Sequence, residues 1–305
     1  MIELFFLGTG GTYPRKTRNT MCIVARIRGD VIVFDCGEGC QKDFIPRFGV
    51  NKATIILISH IHGDHVLGLP GLLLSFNLLG RKKNLTVIGP LGIQRYLAGL
   101  MKSLKIRLCY PLEVLEVGRF EGLREVYSSK NYSIFAWHVR HTAPTLGYIL
   151  HEKRPRGKFN VDKAKELKIP RGRLWKKLQL GLTVRHRDNI YYPEDVLDDM
   201  SSGVRVVYSG DTLPDLNLMK YAAHADVLIH DASFLLRDFS KALESAHSTV
   251  FNVAEIAANI GVKNLVLVHI TPRYDSKVDR LSEEASQIFN GNVFIPEDGE
   301  ELRVK

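Results

Sequence analysis

Short apolar runs recur along this chain, and most of them stop at a Gly, an Asp or a His. Leu4 to Gly8, Val31 to Phe34, Ile55 to Ile58 and Leu85 to Ile88 are of this kind in the first part of the chain. Val204 to Tyr208, Val227 to His230 and Leu265 to Val268 follow in the last part. Runs this short and rich in Ile, Val and Leu predict buried strands. Leu67 to Leu79, Gly92 to Ser103 and Thr249 to Asn259 have helical periodicity instead. Strands that alternate with helices predict an α/β fold in which helices cover the sheets. No fixed-period repeat or low-complexity tract interrupts the pattern.

One stretch breaks it. From Glu152 to Arg187, thirteen Lys and Arg face three acids, a net +10 in a chain whose total is +9. Lys153-Arg154-Pro155-Arg156-Gly157 and Pro170-Arg171-Gly172 interrupt it, and Val161 to Leu167 has weak helical character. Leu174-Trp175-Lys176-Lys177-Leu178 sets an exposed aromatic among cations. With too little apolar material for a core of its own, the segment is expected to be a projecting arm. Charge gathered in one segment points to a polyanionic partner more strongly than a diffuse excess would.

Candidate chemistry sits directly behind the run Thr54 to Ile58. Ser59-His60-Ile61-His62-Gly63-Asp64-His65 packs three imidazoles and a carboxylate into six positions at a strand exit, where sites are built. Imidazole and carboxylate together suit zinc, and less selectively other divalent metals. One tetrahedral ion does not easily use all four from so tight a turn, so the spacing suggests two adjacent metals. Further ligand candidates follow other apolar runs: His141 after Phe135 to Arg140, Asp211 after Val206 to Gly210, and His269 after Leu265 to Val268. Each is polar and stands at the C-terminal end of such a run, the position favoured for ligands in open α/β sheets.

These residues carry a resemblance. His60-x-His62-x-Asp64-His65 with His141, Ser209-Gly210-Asp211 and His269 resembles the metallo-β-lactamase superfamily. Further stretches are similar to its ribonuclease Z family over nearly the whole chain: Phe6-Leu7-Gly8-Thr9-Gly10, Pro14-x-Lys16-x-Arg18-Asn19, Phe34-Asp35-Cys36-Gly37-Glu38-Gly39, and Asp64-His65-x-x-Gly68-Leu69-Pro70-Gly71. His141 with Gly147-Tyr148, His247-Ser248-Thr249 and His269-Ile270-x-x-Arg273-Tyr274 extend it. The resemblance implies a four-layer αββα sandwich spanning 1–305, interrupted by a flexible tRNA-binding arm at 152–187. It implies two Zn2+ per subunit, one held by His60, His62, His141 and Asp211, the other by Asp64, His65, Asp211 and His269. The implied reaction is removal of the 3′ trailer from precursor tRNA by phosphodiester hydrolysis, leaving a 3′-hydroxyl on the tRNA.

In that scheme Asp64 acts as general base, and His247 stabilises charge or protonates the leaving 3′ oxygen. Asp231, where the family usually has Glu, orients His247. Ser248 and Thr249 also read as caps of the following helix, the structural alternative for that motif. Lys16, Arg18 and Arg273 near the centre, and Lys163, Lys165, Arg171, Arg173, Trp175, Lys176 and Lys177 in the arm, are the implied RNA contacts. The arm departs from the family at Pro170-Arg171-Gly172-Arg173, where members often have Pro-Gly-Pro. His138, His186, His224 and His230 are weaker candidates for any role.

A homodimer is implied as well. No apolar stretch of about 18 residues predicts a membrane span. Met1 to Phe6 does not read as a signal peptide, so a cytoplasmic location is expected. Cys22, Cys36, Cys40 and Cys109 are read as reduced thiols, with a pairing of Cys36 and Cys40 as the alternative. Two other functional readings compete: a hydrolase of small phosphodiesters or esters, and an RNA-binding protein without catalysis. The concentrated basic segment argues against the first, and the seven intact ligand candidates argue against the second.

Overall fold

Two seven-stranded sheets carry the chain outside the basic segment. The first runs in the order Glu301–Val304, Ile2–Gly8, Cys22–Ile27, Asp30–Phe34, Ala53–Leu57, Leu85–Pro90 and Leu112–Val117. The second runs Asn292–Phe294, Asn264–Val268, Val227–Asp231, Arg205–Tyr208, Thr145–Glu152, Tyr132–Val139 and Arg124–Ser128. This computed structural model describes residues 1–153, 157–179, 182–187, 189–198 and 203–305. Arg154, Pro155, Arg156, Leu180 and Gly181 of the expected arm lie outside the described residues.

The period-two rule explains why these strands read as unbroken apolar runs. In Ile2–Gly8, Leu4 and Phe6 face the space between the sheets, while Phe5 and Leu7 face outward. Ile55 and Leu57 likewise point inward, and Ile56 points to the outer layer. In the second sheet, Val206, Tyr208, Ile229 and Val266 fill the central layer, and Val207, Leu228 and Leu265 the outer one. Both faces are therefore buried in the central strands of each sheet.

Helices close the two outer layers. Gln41–Phe48, Gly68–Leu78 and Ile93–Ser103 cover the first sheet with Phe44, Leu72, Phe76 and Leu97. Val250–Ile260 and Val278–Ser286 cover the second with Val253, Ala257 and Leu281. The result is the expected four-layer αββα sandwich. Each fully buried large apolar side chain contributes about 1.5–3 kcal/mol.

Polar ties between the sheets concentrate at one end. The Tyr148 hydroxyl donates to the Ile58 carbonyl at 2.8 Å, and Leu146 N–H donates to the Ser59 carbonyl at 2.9 Å. Phe34 and Tyr208 meet edge to face with centroids 5.5 Å apart. The exit of Ala53–Leu57 is thus clamped to the second sheet before any site residue is reached.

Glu152–Gly203 forms a separate compact unit. Contrary to the expectation that it lacks a core, Ala164, Ile169, Leu178, Val184, Tyr191 and Val196 are buried together. Tyr191 and Val196 lie beyond Arg187, so a boundary drawn from charge alone cuts the core in two. Helix Val161–Glu166 is capped by Asn160, whose side chain accepts from the N–H groups of Asp162 and Lys163. Strand Lys158–Phe159 pairs with Leu197–Asp198, bringing the two ends of the unit together.

Candidate metal centre

Strand ends assemble the site. His60 follows Ala53–Leu57, and Asp64 and His65 lie on the short helix Gly63–Val66. In the other sheet, Arg205–Tyr208, Val227–Asp231 and Asn264–Val268 run parallel and deliver Asp211, Asp231 and His269 at the same end. Gly210 has φ +63° and turns the chain so that Asp211 enters the centre. A Cβ on Gly11 would lie 2.3 Å from the His269 ring, so only glycine admits this approach. Asp35 (φ +56°) and His269 (φ +60°) themselves hold left-handed backbone, which is strained for a residue with a side chain.

The expected ligands converge. His60 Nε2 is 2.9 Å from His62 Nδ1, which is 3.3 Å from His141 Nε2. Asp211 Oδ2 lies 3.2 Å from Nε2 of both His65 and His269 and 3.7 Å from His60 Nε2. Asp64 Oδ2 is 3.2 Å from His269 Nε2 and 3.8 Å from His65 Nε2. His60, His62 and His141 thus form one group, Asp64, His65 and His269 a second, and Asp211 touches both.

Outer hydrogen bonds fix which ring nitrogens are bare. His65 Nδ1 donates to Asp35 Oδ2 at 2.7 Å, and His141 Nδ1 donates to the Ala246 carbonyl at 2.9 Å. The Ser59 hydroxyl donates to Asp35 at 2.7 Å, so it accepts from His60 Nδ1 at 2.9 Å. The Ser233 hydroxyl donates to Asp231 Oδ1 at 2.6 Å, so it accepts from His269 Nδ1 at 2.7 Å. With Nδ1 engaged outward, four imidazoles turn Nε2 inward, toward each other and toward carboxylate oxygens, where a cation or a proton can sit. Imidazole nitrogens and carboxylate oxygens gathered at these distances, with the outward nitrogens already donating, suit a bound cation. His65 Nε2 is buried and without a hydrogen-bond partner. The donor set fits divalent metal.

Electrostatics agree. Burial, then the neighbouring His65, hold His60 well below the usual imidazole range, and burial depresses His62 and His141 as well. Burial acts to raise Asp64, but the His269 hydrogen bond and the charges of His65 and His269 hold it well below the carboxylate range. Burial likewise opposes ionisation of Asp211, and His269 and His65 overcome it. His65 goes the other way: despite burial, Asp211 and Asp35 push it well above its ordinary value.

His247 stands beside this centre, its ring 5.0 Å from those of His141 and His269. Asp231 Oδ2 accepts from its Nδ1 at 2.7 Å, so the carboxylate one methylene shorter than the family's usual Glu still reaches. Against burial, that carboxylate lifts His247 to about 9. The capping alternative holds at the same time: Thr249 caps helix Val250–Ile260 through the Asn252 N–H. The cap and the imidazole occupy different residues of one motif.

Two expected RNA contacts are corrected. Arg18 is buried and donates to Thr9 Oγ1 and to the Pro296 carbonyl, so its guanidinium braces the loop and is not offered to substrate. Trp175 donates Nε1–H to the Ile169 carbonyl at 2.8 Å and packs on Phe159 at 5.1 Å, so it is half-buried and not an exposed stacking platform. Lys16, Lys163, Lys165, Arg171, Arg173, Lys176 and Lys177 are exposed. Lys163 and Lys165 pair with Asp198 and Asp162. Arg273 lies 3.6 Å from Asp238.

Several residues here have no role in the sequence reading. Asp35 is buried and accepts from His65, Ser59 and the Tyr208 hydroxyl, the last at 2.6 Å. It ends the run Val31 to Phe34, the same signal that marks Asp211 and His269. Ser233, Tyr208 and the Thr12 N–H, which donates to Asp64 Oδ2 at 2.7 Å, carry no such signal. Two of the weaker candidates have backbone partners: His138 donates to the Gly118 carbonyl and His230 Nδ1 to that of Asp231. Cys36 and Cys40 are free thiols with sulfurs 2.7 Å apart.

Known proteins are similar to this chain in sequence or in fold. The family model described as anti-Pycsar protein Apyc1 matches residues 2–142. Human tRNase Z, short form, superposes with a TM-score of 0.73 at 23% identity, covering 99% of both chains. The metallo-β-lactamase fold protein YhfI from Bacillus subtilis gives 0.70 at 16% identity, covering 99% of this chain and 98% of its own. At those identities the likeness is one of fold. Ribonuclease Z of Methanosarcina mazei is 38% identical over 305 residues, covering 100% of this chain and 98% of its own. That of Natronomonas pharaonis is also 38% identical over 305 residues, covering 99% and 98%. With the metal-ligand groups in place and relatives of this identity matched end to end, the chain belongs to the ribonuclease Z family.

Proposed function

We propose that this chain removes the 3′ trailer from precursor tRNA, hydrolysing one phosphodiester at a centre of two zinc ions and leaving a 3′-hydroxyl on the tRNA. It is an endoribonuclease, and a metal belongs to its site. The observation that carries the reading is Asp211 Oδ2 within 3.2 Å of two bare imidazole nitrogens and 3.7 Å of a third, flanked by the two ligand groups. His60, His62 and His141 would hold one ion, Asp64, His65 and His269 the other, and Asp211 both. Zinc supplies Lewis acidity toward water and the phosphodiester.

The chain's own residues do the rest. Asp64, ionised and steadied by the Thr12 N–H, takes the proton of the attacking water. His247, kept charged by Asp231, faces the developing negative charge and gives its proton to the leaving oxygen. Exposed Lys163, Lys165, Arg171, Arg173, Lys176 and Lys177 bind backbone phosphates of the folded RNA, reading shape rather than sequence. Lys16 serves the acceptor end from a loop that Arg15 anchors to Asp275 at 2.7 Å.

The same reading includes a homodimer and a cytoplasmic location. Leu67, Leu78 and Leu79, all exposed in and beside helix Gly68–Leu78, are surface that a second copy would cover. Among the described residues no helix is long and apolar enough to cross a membrane. The test is cleavage of a 3′-extended tRNA by metal-loaded protein, with the product end identified. A single cut leaving a 3′-hydroxyl on the tRNA supports the reading. An uncut precursor alongside rapid hydrolysis of small diesters refutes it.

A further inference from the structure

A cleft of about 800 Å³ opens beside the metal centre, and His141 belongs to both. Its volume is that of small-molecule sites, roughly 300–1,000 Å³. Leu91, Phe120 and Pro144 give it apolar walls, and His138 stands against Phe120 with centroids 4.8 Å apart. The charges in its lining, Arg119 and Glu121, cancel, which does not suit a phosphate. His138 donates Nε2–H to the Gly118 carbonyl at 3.1 Å, so its Nδ1 is left as an acceptor. Arg119 is exposed at the rim, and a guanidinium plane stacks on base faces.

We propose that this cleft receives the base of a nucleotide flanking the scissile phosphodiester. The inference rests on the reading of the chain as a tRNA 3′-end endoribonuclease. A phosphodiester at His62 and His141 has a sugar on either side, and each sugar carries a base that must leave the path of the attacking water. The cleft beginning at His141 offers one of them a slot with apolar walls, no net charge in its lining and a hydrogen-bond acceptor at His138 Nδ1. Removing that base from the stack at the end of the acceptor stem would hold the bond to be cut extended across the centre.

The experiment uses full-length, metal-loaded protein and a 3′-extended precursor made with an abasic residue on either side of the scissile phosphate. At one of the two positions the abasic residue should lower kcat/KM roughly ten- to a hundredfold, as stacking contacts do. Phe120→Ala should lower kcat/KM on intact RNA by a similar factor, and the two losses should not multiply when combined. Leu91→Trp narrows the mouth at a position already 50% exposed, where folding is not at stake. It should slow the intact RNA and leave the abasic one at its wild-type rate.

Indifference of the wild type to both abasic residues, with cleavage otherwise normal, overturns the cleft assignment and leaves the activity standing. Losses that multiply overturn it as well. Failure of the wild type to cut intact precursor overturns the activity and the assignment together.

Discussion

Asp35 tests whether the layer behind the ligands holds the centre together. Its buried carboxylate accepts four hydrogen bonds: from His65 Nδ1, the Ser59 hydroxyl and the Tyr208 hydroxyl on Oδ2, and from the Ser59 N–H on Oδ1, at 2.6–2.7 Å. Asp35→Asn keeps the shape and replaces one oxygen by an NH2 group. If the amide oxygen faces the three donors on Oδ2, the NH2 meets the Ser59 N–H, and one buried donor is orphaned at about 1–3 kcal/mol. The three remaining bonds lose their charge assistance, roughly 0.5–1 kcal/mol each. The opposite rotamer sets the NH2 against three donors and is worse.

The expected destabilisation is thus about 3–5 kcal/mol, read from chemical denaturation. His65 also loses the partner that fixes its tautomer, so zinc affinity should fall roughly 10–100-fold in competition with a chromophoric chelator. Tyr208→Phe, which removes one of the four bonds, should cost about 1 kcal/mol in stability and little in metal affinity. An Asp35→Asn protein with wild-type stability and zinc affinity would refute the reasoning, because no rotamer of asparagine satisfies the donors present.

Asp231→Asn should lower kcat on precursor tRNA by on the order of a hundredfold while metal content stays at the wild-type level, since His247 loses the carboxylate that keeps it charged. Inductively coupled plasma analysis beside the rate assay checks both halves. Lys176→Ala with Lys177→Ala should raise KM for tRNA and flatten the slope of log affinity against log salt by roughly one per lost phosphate contact, leaving small-diester hydrolysis unchanged. Trp175→Ala should destabilise the 152–203 unit by roughly 2–3 kcal/mol, below the range for a fully buried Trp. Hydrogen exchange would show faster opening around 159–179 with no change at the metal ligands.

The layers and the candidate ligands are legible in the sequence for one reason. A strand buried on both faces must be apolar throughout, so a His or Asp where it stops stands out. His60, Asp211 and His269 are visible that way, and so is Asp35, whose place after Phe34 carries the same signal. Edge strands such as Leu112–Val117 are less legible because their residues are alternately exposed and half-buried. Ser233 and Tyr208 act through contacts between segments far apart in the chain, and local pattern holds no record of such contacts.

Charge was the weaker guide. It located the basic segment but drew its end at Arg187, short of the Tyr191 and Val196 that complete its core. Arg18, implied as a substrate contact, instead spends its guanidinium hydrogen bonds on Thr9 and Pro296. Trp175 among lysines reads as an exposed aromatic because sequence does not show the Ile169 carbonyl that takes its N–H.

The most direct test of the account compares three samples on one 3′-extended precursor tRNA: metal-stripped protein, the same protein reloaded with zinc, and Asp211→Ala given equal zinc. The stripped protein and the variant should leave the RNA uncut, while the reloaded protein makes one cut and leaves a 3′-hydroxyl on the tRNA. Equal cleavage by the stripped protein, or by Asp211→Ala, would contradict a metal centre built around Asp211.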